Sequence, residues 1–270
     1  MRSPGRLPLG RSIISSLLKS LAVLLTAAVP ALLSAAAAAQ SDDSDQAAQY
    51  ATCMNLTETA PDDALEAAQT WRDLGGSDPA RHCAAVALMR LGHYEAAGQE
   101  LESLAGSLEA NYAYLQIPIL IQAAQAWLAA GNSDRAYAVQ TAALARQPNN
   151  IDLLVDRAFT AANVGDYEAA VTDLDRALSN APNRADILVY RASAYRYLDR
   201  TEAALADVEA ALQLDPNNPE GLLERGNLRR LKDDSEGARA DWLRVTRLAP
   251  DSPAAADAQD NLAKLDVKVE

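Results

Sequence analysis

The chain has 270 residues, with 37 acidic and 24 basic side chains, a formal net charge of −13, two histidines and two cysteines. This acidic balance argues against nucleic acid or an anionic membrane surface as a partner, and it suits basic or apolar peptides, although solvation accounts for most of such charge. With two histidines, no G-x-S-x-G sequence and no glycine-rich phosphate loop, the chain offers little basis for catalysis.

The first 39 residues have the pattern of a secretory signal peptide. Basic residues precede an apolar run over 21–33, and Ala37-Ala38-Ala39 satisfies the small-residue rule for cleavage before Gln40. Cleavage would leave 20 basic against 37 acidic side chains, a net charge of −17. The alternative is an uncleaved membrane anchor, for which the apolar run is short. We therefore expect an exported protein, located in the periplasm of a Gram-negative bacterium.

A polar linker over residues 40–45 and a degenerate helix pair over 46–77 are predicted next. Cys53 and Cys83 each lie on the first helix of a pair. An even cysteine count in an exported chain predicts a disulfide between them, and two free buried thiols are the alternative. The spacing of His82, Cys83 and His93 matches no zinc pattern, so no metal site and no other cofactor are predicted.

One pattern of 34 residues organises the rest of the chain. Residues 151–184, 185–218 and 219–252 align without a gap, with a small residue at position 8, glycine or aspartate near 15, alanine at 20 and proline at 32. Position 27 is alanine in the first two of these copies and becomes Val245 in the last. The segments 117–150 and 78–116, the latter with an insertion, match the same template. Each copy predicts two amphipathic helices, and so short a unit must stack on its neighbours to bury a core. A capping helix and tail are predicted over 253–270.

This template resembles the tetratricopeptide repeat. The resemblance implies an all-α, right-handed solenoid of stacked helix-turn-helix repeats with a capping helix at its carboxyl end. It also implies a non-enzymatic scaffold or adaptor that binds a peptide or protein partner in the groove of its first helices. The alternative is an accessory structural subunit of a cell-envelope complex that uses its outer face or the insertion near Tyr112. An enzyme with an unrecognised site is a third, weaker interpretation.

In that family, positions 9, 12 and 13 of each first helix often contact an extended peptide. A familiar subset clamps a carboxyl terminus with lysine and asparagine at positions 5 and 9, but position 5 here holds Val155, Val189 and Leu223, so the clamp is not supported. The alternative is that these side chains only cover the inner helices. Carried over to this sequence, the candidate groove residues are Phe159, Asn163, Ser193, Arg196, Tyr197, Asn227 and Arg230.

Arginine at position 7 and aspartate at position 23 recur together in three successive copies. The preceding copy has Ala123 and Val139 at these positions and lacks both charges. Their joint recurrence favours a ladder of ion pairs between helices, and the alternative is an arginine row that faces a ligand. The residues are Arg157, Arg191 and Arg225 with Asp173, Asp207 and Asp241.

Overall fold

The computed structural model describes residues 44–266, and every regular element within that range is helical. The predicted signal peptide and residues 40–43 of the predicted linker lie outside the described residues. Ser44 and Asp45, the remainder of that linker, already belong to the first helix. The helices are α1 (44–59), α2 (Pro61–Asp73), α3 (Ser77–Arg90), α4 (Tyr94–Ser107), a 3-10 helix (Ala110–Leu115), α5 (Gln116–Ala129), α6 (Ser133–Arg146), α7 (Ile151–Asn163), α8 (Tyr167–Asn180), α9 (Ala185–Tyr197), α10 (Thr201–Leu214), α11 (Pro219–Leu231), α12 (Ser235–Leu248) and α13 (Pro253–Asp266).

The chain divides into two compact units, Met1–Cys83 and Ala84–Glu270. The division falls inside α3, whereas the sequence pattern places a boundary before residue 78. In the first unit, α1 and α2 pair around buried Cys53, Ala64 and Ala68. None of the helices in the described range is long and apolar enough to cross a membrane.

The second unit is built from consecutive antiparallel helix pairs. The sharp turn inside each pair needs a residue at positive φ, and this residue sits at template position 15. Gly131 and Gly165 supply it with φ of 76° and 82°, while Asp199 and Asp233 supply it with φ of 57° and 60°. Aspartate tolerates this left-handed conformation better than most residues with a side chain. This requirement explains why only glycine and aspartate alternate at position 15.

Side-chain caps define where many of the helices begin. The Asn132 side chain accepts a hydrogen bond from the Arg135 amide before α6, and Asn150 accepts one from the Leu153 amide before α7. Asp166 and Asp234 cap α8 and α12 in the same way. Such caps satisfy backbone donors that the first turn leaves unpaired, and each stabilises its helix by about 1 kcal/mol.

The core of the second unit follows the small residues of the template. Alanines at positions 8 and 20, among them Ala158, Ala170, Ala192 and Ala204, are at most 3% exposed where paired helices touch. Helix α13 closes the carboxyl-terminal end of the stack. Its Ala254, Ala255 and Ala258 are buried against α11 and α12, and Leu262 and Leu265 pack beside them. A terminal helix of this kind covers an apolar face that the last repeat would otherwise expose.

Candidate functional site

An apolar pocket opens between α7, α8 and α9 in the second unit. Its volume is about 130 Å³. Val155, Phe159 and Ala162 line it from α7, Tyr167 and Leu174 from α8, and Tyr190, Ser193 and Tyr197 from α9, with buried alanines at its base. Three of the predicted groove residues, Phe159, Ser193 and Tyr197, therefore meet in one place.

Aromatic rings form the walls of this pocket. Phe159 and Tyr190 meet edge to face, with ring centroids 4.7 Å apart. Tyr167 and Tyr197 stack in parallel at 4.5 Å. Phe159 is 45% exposed and Tyr197 is 55% exposed, so large apolar surfaces remain in contact with water. Exposed apolar surface of this kind, concave and aromatic, is typical of a binding site.

Arg196, another predicted groove residue, forms an ion pair with Glu224 of the same protein. Its Nε donates to Glu224 Oε1 at 2.5 Å and its Nη2 donates to Oε2 at 3.3 Å, while its guanidinium lies 4.4 Å from the centre of the Tyr197 ring. Glu224 is only 6% exposed. Burial acts to lower the pKa of Arg196, but the bonds to Glu224 outweigh it and the pKa is raised. Arg196 therefore positions Tyr197 and neutralises a buried carboxylate.

The other predicted groove residues do not line the pocket. Asn163, at the end of α7, is exposed. Asn227 accepts a hydrogen bond from the Asn261 side chain of the capping helix at 2.9 Å. Arg230 is half exposed, and its guanidinium is 4.0 Å from Asp233. These three side chains are spread over α7 and α11.

Sequence reasoning missed Tyr190 and Glu224, which both occupy position 6 of their repeats. Tyr190 forms a wall of the pocket, and Glu224 binds Arg196. Position 6 was not among the positions that the family resemblance highlighted. The sequence does contain a signal for them. Position 6 changes from Asp156 to Tyr190 to Glu224 in three successive copies that are otherwise similar.

The arginines at position 7 pair with the aspartates of their own repeats. Arg157 donates from Nε and Nη2 to Asp173 at 2.7 and 2.6 Å, and Arg225 makes the same two bonds to Asp241 at 2.9 and 2.7 Å. Asp173 and Asp241 are 1% and 4% exposed. Both carboxylates thus receive paired, charge-assisted hydrogen bonds inside a helix-packing seam.

A second set of contacts joins adjacent repeats. Arg157 Nη1 donates to Thr141 Oγ1 of the preceding repeat at 3.0 Å, and Arg191 Nη1 donates to Asp175 Oδ1 at 2.6 Å. Thr141 and Asp175 both hold position 25. The arginine of one repeat therefore bridges two successive second helices. The guanidinium group of each of these three arginines is therefore directed at a carboxylate of the protein itself.

In the first unit, Cys53 and Cys83 form a disulfide, with Cα atoms 6.2 Å apart. The bond ties α1 to the middle of α3. Beside it, the Tyr50 hydroxyl lies 2.8 Å from His82 Nδ1. Within the described range, no group of three histidine, cysteine or carboxylate side chains is arranged to hold a metal ion.

The fold and the site define a class: an all-α solenoid of stacked helix pairs with a concave aromatic pocket. Two sequence-family models, both described as tetratricopeptide repeat, match residues 124–194 and 191–253. The protein is a tetratricopeptide-repeat protein. No curated protein matches the sequence.

Several solved structures share the fold, and two of those named here are described as tetratricopeptide-repeat proteins. The carboxyl-terminal part of one from Cytophaga hutchinsonii is 17% identical, with a TM-score of 0.63 over 80% of this chain and 84% of that chain. One from Parabacteroides merdae is 19% identical, with a TM-score of 0.58 over 67% and 70%. MamA from Desulfovibrio magneticus RS-1 is 20% identical, with a TM-score of 0.53 over 69% and 97%. At these identities the likeness concerns the fold alone.

Proposed function

We propose that this protein is an exported, non-enzymatic scaffold or adaptor that binds a segment of a partner protein in the groove of its first helices. The pocket between α7, α8 and α9 carries the proposal. It is apolar, framed by four aromatic rings, and two of those rings keep about half of their surface in water. Burial of such rings by a partner releases ordered water and contributes most of the affinity at hot spots of interfaces.

Export is part of the proposal. The Cys53–Cys83 disulfide supports it, because disulfides persist in oxidising compartments such as the bacterial periplasm. The signal-peptide pattern before Gln40 supports it independently. Amino-terminal sequencing of the protein isolated from its native host tests this part. A start at or near Gln40 is expected, whereas an intact Met1 in the membrane fraction contradicts export.

A second candidate is an accessory subunit of an envelope complex that binds through its outer surface or through the 3-10 insertion. The exposure of the insertion favours it, since Tyr112 is 44% and Tyr114 is 71% exposed. Exposed aromatic side chains on a short irregular segment are common at protein interfaces.

Site-specific photo-cross-linking in the native host separates the two candidates. A photoreactive amino acid replaces Asn163 beside the pocket, Ser179 on the exposed face of α8, or Tyr114 in the insertion. Groove binding predicts adducts at Asn163 that Phe159→Ala together with Tyr197→Ala abolishes. Adducts only at Ser179 or Tyr114 contradict groove binding and support the accessory-subunit candidate.

A further inference from the structure

The pocket has the size of one apolar side chain. A cavity of about 150 Å³ with an apolar lining is large enough to bind benzene. The pocket here is close to that, about 130 Å³, and the partly exposed rings of Phe159 and Tyr197 line it. An aromatic or branched aliphatic side chain can fill it, whereas a charged group would lose its hydration against the aromatic and aliphatic walls.

Acidic side chains recur on the first helices of the repeats, and two of these helices, α7 and α9, line the pocket. Position 2 is acidic in three successive repeats, with Asp152, Asp186 and Glu220, and Asp156 follows Asp152 by one helical turn. Partial burial, and next the charge of Asp152, raise the pKa of Asp156. Burial also raises the pKa of Tyr190, a wall of the pocket, and the charges of Asp186 and Glu220 add to that effect. The charge of Arg184, which is paired with Asp186, opposes this effect on Tyr190.

The cations in this region are already paired. Arg184 donates to both carboxylate oxygens of Asp186, at 2.8 and 2.6 Å. Arg196 is bound to Glu224. Within the described range, Asp152, Asp156 and Glu220 make no salt bridge. Asp156 precedes the pocket residue Phe159 by three residues on α7, and the charge of Glu220 acts on the pocket residue Tyr190. These two carboxylates have no salt bridge, and their charge favours a positively charged occupant beside the pocket.

We propose that the pocket takes one apolar side chain from a partner segment that carries lysine or arginine within a few residues of that side chain. The apolar side chain fills the pocket beside the rings of Phe159 and Tyr190, and the flanking cations lie against Asp152, Asp156 and Glu220. An acidic segment is repelled from the same carboxylates. This inference rests on the proposed function, because it specifies the chemistry of the partner that the groove binds.

The next repeat shows how the chain itself fills the equivalent space. Thirty-four residues further on, Arg196 stands at the place of Ala162, and Glu224 stands at the place of Tyr190. Their bidentate ion pair occupies positions that border the pocket one repeat earlier. The pocket therefore depends on the small Ala162 side chain. Replacing Ala162 by arginine and Tyr190 by glutamate would introduce the same ion pair here and fill the pocket, in an arrangement that the next repeat already contains.

The test is selection from a displayed library of random short peptides on the purified mature protein. The parent chain, the filled variant with Ala162→Arg and Tyr190→Glu, and a matched control with Leu231→Ala are used in parallel. Leu231 is the equivalent of Tyr197 in the next repeat and is 60% exposed, but it lies outside the pocket. Circular dichroism and thermal unfolding establish that all three chains are folded.

On the parent and on the Leu231→Ala control, we expect enrichment of peptides that have an apolar residue with lysine or arginine nearby. One such enriched peptide, labelled with a fluorophore, should bind the filled variant at least about tenfold more weakly in an anisotropy titration. Replacing its basic residues by glutamate should weaken it similarly on the parent, and added salt should reduce the difference. Asp152→Asn with Glu220→Gln should reduce the preference for basic residues while apolar binding remains.

Other outcomes overturn the inference and are distinguishable from failure of the proposed function. Enriched peptides without basic residues, or with acidic ones, that still lose binding on the filled variant refute the partner class but leave groove binding intact. Enriched peptides that bind the filled variant as well as the parent show that the pocket is not the docking point. No enrichment on any chain, together with cross-links only at Ser179 or Tyr114, contradicts both proposals.

Discussion

The guanidinium of Arg191 holds the Asp207 carboxylate with two hydrogen bonds, from Nε and from Nη2, each 2.7 Å long. Its third nitrogen, Nη1, reaches Asp175 of the preceding repeat at 2.6 Å. The two aspartates differ in environment, because the Asp207 side chain is 11% exposed and that of Asp175 is 49% exposed. The hydrogen bond to Asp207, followed by that to Asp175, raises the pKa of Arg191. One arginine thus makes one sheltered and one solvated ion pair.

The first prediction uses this difference. Arg191→Ala leaves Asp207 in the seam without a partner and should lower the free energy of unfolding by about 2–3 kcal/mol, between the values for exposed and buried pairs. Asp207→Ala should cost a similar amount, and the double replacement should cost much less than the sum. Denaturant unfolding followed by circular dichroism measures all four chains.

A second double-mutant cycle, with Arg191 and Asp175, serves as the matched control. Its coupling energy should stay within about 0.5 kcal/mol, because solvent screens an exposed pair. The repeat over 117–150 supports the expectation for the double replacement, since Ala123 and Val139 are buried at the equivalent positions without charges. Additive effects for Arg191 and Asp207, with stability close to the parent, would contradict a structural role for the arginine row.

The second prediction concerns the Cys53–Cys83 disulfide. The two cysteines are 30 residues apart, and closing a loop of that length stabilises the folded state by about 3.5 kcal/mol in the chain-entropy model. Protein from the native host should show no free thiol when it is denatured and labelled without reductant. Reduction should make residues 44–83 sensitive to protease. Labelling of both thiols before reduction would show that the bond is absent from the natural protein.

Protease sensitivity of the second unit provides the control for that experiment. Residues 84–266 contain no cysteine, so reduction has no bond to break there. Repeat arrays unfold in segments, and loss of a constraint in one segment need not spread. Cleavage that increases equally in both units on reduction would show that the disulfide stabilises more than the first helices.

The repeat period made much of the fold predictable, because each template position has one physical task. Gly165 and Asp199 share a position since both tolerate positive φ, and Ala170 and Ala204 share one since paired helices touch there. The joint recurrence of arginine and aspartate predicted pairing across helices. It did not predict which repeat supplies the aspartate, because the long arginine side chain reaches either second helix.

The pocket was less predictable, because it depends on space that side chains leave open. The family resemblance predicted that Arg196 contacts a ligand, because it occupies position 12 of its repeat. The guanidinium is instead engaged by Glu224, which comes from the following repeat. A pattern read within single copies does not reveal such a pair. It emerges only when each position is compared with its contacts in the neighbouring repeat.

The third prediction concerns two carboxyl groups whose pKa values should be shifted in opposite directions from the ordinary aspartate value. Partial burial, and next the charge of Asp152, raise the pKa of Asp156. The hydrogen bond from Arg184 lowers the pKa of Asp186. Carboxyl titration by NMR should place Asp156 above and Asp186 below the ordinary aspartate range, near 3.9. Asp152→Asn should bring Asp156 closer to that value, and equal pKa values for both groups would contradict the charge arrangement of the groove.

The two pKa shifts also determine how each group changes the stability of the protein with pH, because proton binding is linked to folding. Because the folded-state pKa of Asp186 is depressed, its contribution is present above the unfolded-state pKa and is lost as pH falls through the folded value. Because the pKa of Asp156 is raised, its ionised form opposes folding at neutral pH, and this opposition disappears below the unfolded-state pKa. Asp156→Asn should therefore stabilise the protein slightly at neutral pH, by less than about 0.5 kcal/mol since solvent screens the group, and not in acid.

The last prediction concerns the fit between Gly226 and Trp242. Position 8 is alanine in the two preceding repeats but glycine here, and a Cβ on Gly226 would lie 2.5 Å from Trp242 Nε1. Trp242 is 2% exposed, and its Nε1 is buried without a hydrogen-bond partner. Alanine normally stabilises a helix relative to glycine by about 0.5–1 kcal/mol. Gly226→Ala should nevertheless destabilise the protein by about 1–3 kcal/mol, the usual cost of overpacking.

Gly106 in α4 is the matched control, since a Cβ there meets nothing within 4 Å. Gly106→Ala should raise the free energy of unfolding by up to about 1 kcal/mol. The neighbouring repeat supplies a rescue, because it combines Ala192 with Val208 at the same two positions. Adding Trp242→Val to Gly226→Ala should recover part of the lost stability, because it removes both the clash and the unpaired donor. If Gly226→Ala stabilises the protein as Gly106→Ala does, the contact with Trp242 does not constrain this position.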